Sequence, residues 1–451
     1  MLKRCLIITL AILMVLSLTF MAGCGGTQNP AGSQSGSNQN APIDDDDYFL
    51  DTPEELKGTT VKFATWINHS TTDTAVAIAG FEEATGMKYE MVTVNEADYI
   101  TKVAALIASE QAPDVVVDNL AFPRTLSLLQ PLSLEANGLD PKDPFWDQDV
   151  SELFSVGDKY YLVNGKNSSW HSGSTMTYFN KPVLDENGIK TPADYMAENN
   201  WNLDTLWTLM TQIKASCGFT RAGTSIEFEA WCSTSGGGQV KYDTKEDKFV
   251  NALTSDATKK AIKYLMDGQD QGLLKIINSH DEELSKGNIA LEICGAYGLR
   301  KNPGWFYAMD ADDLGYAYFP KLNKDDAEYP TNHHIRGYGI CKGSKNPVGA
   351  AYFLRYFLND AHYDMNNMFK NEEAKNMYIE LRSKSNVDNA FFISGVGSIL
   401  DPSNRGNVAL VNDIISGTAA QLSVNIDKSA SKIDGAVKAA NDLIDEIKAQ
   451  Q

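Results

Sequence analysis

From about Pro53 onward the chain alternates between blocks of two-residue and helical hydrophobic period, and each block predicts an element. Val61 to Trp66 reads as a strand. The helix expected near Asp73 to Ala84 is closed by Gly86, which accepts the left-handed backbone of a helix C′ position. A second strand is expected over Lys88 to Val94. Tyr99, Val103, Leu106 and Ile107 then recur at the spacing of one helix face. The run Asp114-Val115-Val116-Val117-Asp118 is apolar between acid ends, as suits a short strand covered on both faces. Strand, helix, strand, helix, strand in this order implies a parallel sheet with helices on both sides.

The second half repeats the style. Leu203, Leu206, Trp207, Met210 and Ile213 mark one helix, and Ile262, Leu265 and Met266 another. Ile289 to Cys294, Gly315 to Phe319 and Tyr338 to Cys341 read as strands. Ala350, Phe353, Leu354 and Phe357 share a helix face. The chain ends on a helix carrying Ile433, Val437, Ala440, Ile444 and Ile447. No short internal repeat is present, which sets solenoids and propellers aside. The expected architecture is α/β with two lobes.

Before Pro53 the pattern is different. Lys3 and Arg4 precede an apolar stretch from Leu6 to Phe20, followed by Met21-Ala22-Gly23-Cys24-Gly25-Gly26. Residues 1–23 read as a secretory signal. Its end resembles a bacterial lipobox, with Met21 in place of the usual Leu, and implies a diacylglyceryl group on Cys24. Two acyl chains hold a protein durably at a membrane because each buried CH₂ contributes about 0.8 kcal/mol. Residues 24–52 then form a flexible linker, rich in Gly, Ser, Asn and Gln and extended by Asp44 to Asp47.

The formal net charge is -20, and the signal contributes only Lys3 and Arg4 to it. Such acidity repels phosphate backbones and anionic headgroups, so nucleic acid and lipid surfaces are not expected partners beyond the lipid anchor itself. Of the cysteines outside the signal and the lipid site, Cys217, Cys232, Cys294 and Cys341 form no C-x-x-C pair. Cys217 and Cys232 are candidates for a disulfide outside the cell, and free buried thiols are the alternative. His69, His171, His333 and His334 are scattered rather than clustered with acids, so no metal and no cofactor is expected.

Several segments, taken in order, resemble the family 1 extracellular solute-binding proteins of ABC importers, the family that includes maltose-binding protein. They are Leu56-Lys57-Gly58 with the strand to Trp66, Phe81-Glu82-Glu83-Ala84-Thr85-Gly86, and Ala112-Pro113-Asp114-Val115-Val116-Val117. Phe179-Asn180-Lys181-Pro182-Val183-Leu184 follows, with the Trp201 to Leu206 helix start, Leu284 to Leu291 before Gly295, and Gly339-Ile340 before Gly343-Ser344-Lys345-Asn346-Pro347. The resemblance runs from about residue 54 to 358. It implies a two-lobed periplasmic-binding-protein-like (type II) fold with a hinge and an interlobe cleft. One lobe is expected from 53–172 with 338–385, the other from 173–337 with 386–451. It also implies a monomer on the outer face of the cell membrane that captures a small solute and delivers it to membrane permease subunits.

In open α/β sheets the ligand sits beyond the carboxyl ends of strands. The candidate contacts are therefore Trp66 and Asn68 after the first strand, Asp118 and Asn119 after the valine run, and Trp170 and His171 before the first crossing. Trp231 precedes the Gly236-Gly237-Gly238 turn, and Tyr297 follows Gly295 where the family often has Trp. Aromatic planes bury the C–H face of a pyranose while Asp, Asn and His meet its hydroxyls, so a carbohydrate is the expected solute. Each assignment has a plainer alternative. The aromatic residues can belong to the core, as Trp207 and Phe357 on helix faces are expected to, and Asp118 can cap the turn after its strand.

No enzyme is expected: G-x-S-x-G, H-E-x-x-H and G-x-x-x-x-G-K-[ST] are all missing from the sequence. A glycoside hydrolase would need two acids across a cleft, and pairs such as Glu227 and Glu229 arise by chance among 59 acidic residues. That enzyme class and a binder of a non-sugar solute, such as a sensor's partner, are the rival readings. An amino-acid binder would carry an Arg–Asp clamp, for which Arg124, Arg221, Arg300 and Arg336 are the candidates.

Overall fold

The computed structural model describes residues 48–49, 51–70, 74–118, 121–170, 174–213, 216–220, 226–277, 280–301, 306, 308–332, 336–384, 396–397, 399 and 413–450. The chain divides into residues 1–43 and 44–451, and every described residue belongs to the second unit. Cys24, Asn119, His171, His333, His334 and Arg221 lie outside the described residues.

Two open sheets organise this unit. The first contains β1 (Thr60–Thr65), β2 (Lys88–Thr93), β3 (Val115–Val117) and β11 (Tyr338–Ile340), in the order β11-β3-β1-β2. β1 pairs in parallel with β2 and β3, and β11 pairs antiparallel with β3, placing Tyr338 opposite Val117. The second sheet contains β4 (Thr175–Asn180), β5 (Ser216–Thr220), β8 (Leu274–Ile277), β9 (Ile289–Gly295) and β10 (Leu314–Tyr318), in the order β8-β5-β9-β4-β10. Here β5, β8 and β9 are mutually parallel, and β4 runs antiparallel between β9 and β10. The purely parallel order holds for the first three strands and fails at β4 and β11, whose direction depends on long-range pairing.

The chain path defines one important edge. Val163 bridges Tyr338 beside the first sheet, and the chain then enters the second sheet at Thr175. It leaves that sheet after Tyr318 and returns to the first at Tyr338. Thr175 lies opposite Gly295, and Met176 opposite Tyr318. Both crossings therefore attach at the edge formed by the carboxyl ends of β1, β3, β9 and β10, where open α/β sheets hold ligands.

Packing behind the first sheet follows the sequence periodicity. Helix α1 (Ala75–Thr85) ends at Gly86, which has φ 70° and donates its N–H to the Glu82 carbonyl. Helix α2 (Tyr99–Ala108) buries Tyr99 and Val103 and leaves Leu106 and Ile107 half-buried. Helix α6 (Pro347–Phe357) buries Ala350, Phe353, Leu354 and Phe357. Phe353 meets Phe81 at 5.2 Å, and Phe357 meets Phe63 at 5.7 Å. Fully burying one such side chain contributes about 1.5–3 kcal/mol, so this face alone fixes α6 against the sheet. The far face of α6 holds the end of the linker. Phe49 is buried against Tyr356 and His362, and the Arg355 guanidinium lies 4.5 Å from the Tyr48 ring. The segment expected to be free through residue 52 is thus already packed at Tyr48 and Phe49.

Around the second sheet, α3 (Leu203–Gln212) is capped by Asn202, whose side chain accepts from Asp204 and Thr205. Helix α4 (Ile226–Thr234) and helix α5 (Asp256–Asp270) enclose a hairpin of β6 (Val240–Asp243) and β7 (Lys248–Asn251) in sequence. The last long helix, α7 (Leu422–Ala449), packs on that hairpin, and Asn441 both accepts from and donates to the Phe249 backbone at 2.7 and 3.0 Å. Among the described residues no helix is long and apolar enough to cross a membrane. Among the described residues Cys232, Cys294 and Cys341 are buried free thiols, and the Cys217 side chain lies outside the described residues.

Candidate functional site

Two aromatic–guanidinium stacks stand at the edge shared by the crossings. The first begins with Trp66, one residue past β1. Tyr99 fixes the strand ends beneath it: its hydroxyl donates to the Ala64 carbonyl at 2.8 Å and accepts from the Val117 N–H at 3.1 Å. The Trp66 ring meets Tyr99 edge-on at 5.4 Å and is half-buried. Over it lies Arg336, with the guanidinium carbon 5.2 Å from the ring centroid. Arg336 arrives there because Asp118 donates its backbone N–H to the Gly337 carbonyl at 2.8 Å, extending the β3–β11 ladder by one step.

Asp118 is buried, at 2% exposure, and its Oδ1 accepts from the Ala121 N–H at 3.1 Å and from the Thr125 hydroxyl. Burial pushes its carboxyl up to about 6, against the opposing pull of those bonds and of Arg336. The carboxylate thus takes the turn-capping role that was the alternative to ligand contact.

The second stack forms where the first crossing meets β9. Tyr297, two residues past β9, is half-buried, and Arg300 sits 5.8 Å from its ring and 4.8 Å from that of Trp170. Arg300 itself is buried and donates to the Ser169 carbonyl at 2.8 Å, tying the crossing to the end of the second sheet. Trp170 is 7% exposed; it stacks on Phe357 at 5.2 Å and donates its indole N–H to the Tyr363 hydroxyl at 3.0 Å. Its faces and its polar atom are engaged by protein, which makes it a strut under the crossing.

His69 packs beside the second stack, on the first sheet. It lies flat on Phe63 at 5.5 Å, edge-on to Trp170 at 5.3 Å, and contacts the Thr74 hydroxyl through Nδ1 at 3.1 Å. Burial first, and the Arg300 charge second, hold its pKa down at about 3, so the ring is neutral at physiological pH. Asn68 is exposed in the adjacent loop, and its side chain accepts from the Ser70 N–H at 3.1 Å.

The structure therefore brings Trp66, Asn68, Asp118, Trp170 and Tyr297 to the ends of the two sheets, and it sends Trp231 elsewhere. Trp231 is 1% exposed on α4, donates its N–H to the Ala261 carbonyl at 3.0 Å, and packs against Phe319 and Tyr264 at 4.9 and 5.5 Å. It is a core residue of the second sheet's helices, correcting its assignment as a ligand contact. The residues that the ligand reading passed over are Arg300 and Arg336. Their stacking partners are remote in sequence, and only the approach of Arg336 to Gly337-Tyr338-Gly339 carries a local signal. Among the described residues no group of three or more His, Cys, Asp or Glu side chains is placed to hold a metal.

The family model for bacterial extracellular solute-binding proteins matches residues 76–368, which takes in both crossings, the second sheet and all of the first sheet except β1. The chain belongs to that family. No curated relative matches it. Among solved structures, the GacH receptor of Streptomyces glaucescens, determined unliganded and with acarbose, is 18% identical. The alignment covers 85% of this chain and 99% of that one, with a TM-score of 0.59. The sugar-binding protein MalE of Xanthomonas citri is 13% identical over 86% and 99% of the two chains, with a TM-score of 0.62. UgpB of Mycobacterium tuberculosis, solved with glycerophosphocholine, is 14% identical over 85% and 99%, with a TM-score of 0.61. These likenesses establish the two-lobed α/β fold of a solute-binding protein. The family and these neighbours are binding proteins, and the family's extracellular character places this solute-binding protein outside the cytoplasm.

Proposed function

We propose that this solute-binding protein captures a saccharide between two lobes and presents it to the permease of an ABC importer. The lobes comprise residues 53–172 with 338–385 and residues 173–337 with 386–451, and the diacylglyceryl group on Cys24 holds the protein at the membrane as a monomer. The observation that carries the reading is the pair of half-buried rings, Trp66 and Tyr297, standing at the ends of different sheets with guanidinium donors beside them. Flat rings bury the C–H face of a pyranose, and fixed donors and acceptors select its hydroxyls. The neighbour solved with acarbose and the neighbour named as sugar-binding support the same class of ligand.

Binding works by population shift. A solute that touches both rings has its full contact area only when the lobes are closed, so it favours that arrangement by its differential affinity. Neither glycosidic cleavage nor any other turnover belongs to this mechanism.

The Arg336–Asp118 juxtaposition does not make an amino-acid clamp. The Asp118 carboxylate is buried and bonded to its own loop, which leaves it badly placed to receive an ammonium group.

Thermal-shift and calorimetric titration against mono- and oligosaccharides, with amino acids as controls, test the reading. A bound saccharide is expected to be recovered intact, and cleavage during the titration would make the protein an enzyme instead. Trp66→Ala is expected to weaken that saccharide about 10- to 100-fold, the loss of one stacking surface plus its shielding of neighbouring polar contacts. Unchanged affinity would remove Trp66 from the site. Cys24→Ala is expected to move the protein from the membrane fraction to the medium; retention at the membrane would rule out the lipid anchor.

A further inference from the structure

Arg336 is the most unusual polar group at this edge. It is half-buried, with one side of its guanidinium covered by the Trp66 face, and its Nε is buried without a hydrogen-bond partner. Among the described residues its guanidinium has no hydrogen-bond or ion-pair partner. A cation in this position has given up part of its hydration and received no acceptor in exchange, which is costly unless something else supplies one. The Asp118 carboxylate, which feels its charge, is committed to Ala121 and Thr125. Arg300 adds a second guanidinium close by: both arginines act on Tyr338, pulling its hydroxyl pKa down against the upward push of burial. In a chain of net charge -20, a local concentration of positive charge at the ligand-facing edge is a specific device rather than a general property of the surface.

We infer that the solute carries an anionic substituent, such as the carboxylate of a uronic acid, and that Arg336 receives it above the Trp66 ring. This rests on the saccharide reading and narrows it to acidic saccharides. The geometry suits such a group. The guanidinium fork offers two parallel N–H donors to a carboxylate, and the Trp66 face 5.2 Å away adds a cation–π contact that favours the charge at this place. The sugar ring attached to the acid then lies along the same edge, toward Tyr297.

The test is calorimetry on the full-length folded domain with matched ligands: a neutral disaccharide, its uronate counterpart, and a sugar phosphate. The uronate is expected to bind about 10- to 100-fold more tightly than the neutral sugar, the ratio expected of a charge-assisted bidentate contact. Arg336→Gln should collapse that ratio toward one, and Arg336→Lys, which keeps the charge but loses the fork, should leave an intermediate ratio. A melting curve on each variant checks that it is folded. If the phosphate outranks the uronate and the same variants remove its advantage, the anionic substituent stands and its identity is phosphate. Equal affinity for neutral and acidic sugars, insensitive to both substitutions, would overturn the inference while leaving the saccharide reading intact. Binding of none of the three would overturn both.

Discussion

Replacing Trp231 with Ala is expected to lower the unfolding free energy by about 3–5 kcal/mol, the cost of deleting a large buried aromatic side chain. Three features set the magnitude. The side chain is 1% exposed, so nearly all of its surface is removed from water in the folded state. Its ring is gripped by Phe319 and Tyr264, which come from different elements and cannot both move into the space left behind. Its indole N–H donates to the Ala261 carbonyl on α5, a link between α4 and α5 that Ala cannot make. Trp231→Phe should cost less, since it keeps most of the volume and loses the N–H. Urea unfolding of the three proteins measures the series. At a denaturant-free temperature where all are folded, the saccharide affinity of the Ala variant should stay within a few-fold of the parent. A variant that unfolds at the parent's midpoint but has lost the ligand would return Trp231 to the binding site.

Trp231 also shows where a sequence stops being readable. What can be read locally is what depends on neighbours along the chain. The valine run of β3 is buried on both faces because it is apolar throughout, and Gly86 ends α1 because only that residue there takes a left-handed backbone without strain. The α6 face was legible for the same reason, its four apolar positions lying on one helical stripe. The side to which an aromatic residue turns is not local. Trp66 and Trp231 both follow a plausible strand or precede a plausible turn, and only the position of Phe319 and Tyr264 makes one of them core. Arg336 and Arg300 were visible as candidates for an amino-acid clamp, and the capping of the 121–125 turn by Asp118 takes that one carboxylate out of such a clamp. Tyr48 and Phe49 followed four aspartates and read as linker, because their docking face on α6 lies some three hundred residues further on.

Lowering the pH from 6.5 toward 3 is expected to destabilise the folded protein through His69, and the contribution can be isolated. With its pKa held at about 3 in the folded state against an ordinary 6.5, His69 stays neutral when folded and takes up a proton when unfolded throughout that window. The unfolded state then binds more protons, so the stability that His69 contributes is fully present above pH 6.5 and is lost as the pH falls through the window. The slope approaches about 1.4 kcal/mol per pH unit. Asp118 works in the opposite direction. Its folded pKa of about 6 lies above the ordinary 3.8, so its contribution is fully present below 3.8 and is lost as the pH rises toward 6. Between pH 4 and 6 the two groups nearly cancel, and the parent protein shows little of either. Urea unfolding across pH 4 to 6 separates them. His69→Gln, which loses ring stacking but can still meet Thr74, should be less stable at pH 7, and its stability should fall more steeply with rising pH between 4 and 6 than the parent's. Asp118→Asn, which keeps an acceptor for Ala121 and Thr125, should instead gain stability as the pH rises through the same interval. Variants whose pH slopes match the parent's would mean that neither buried group changes its proton affinity on folding.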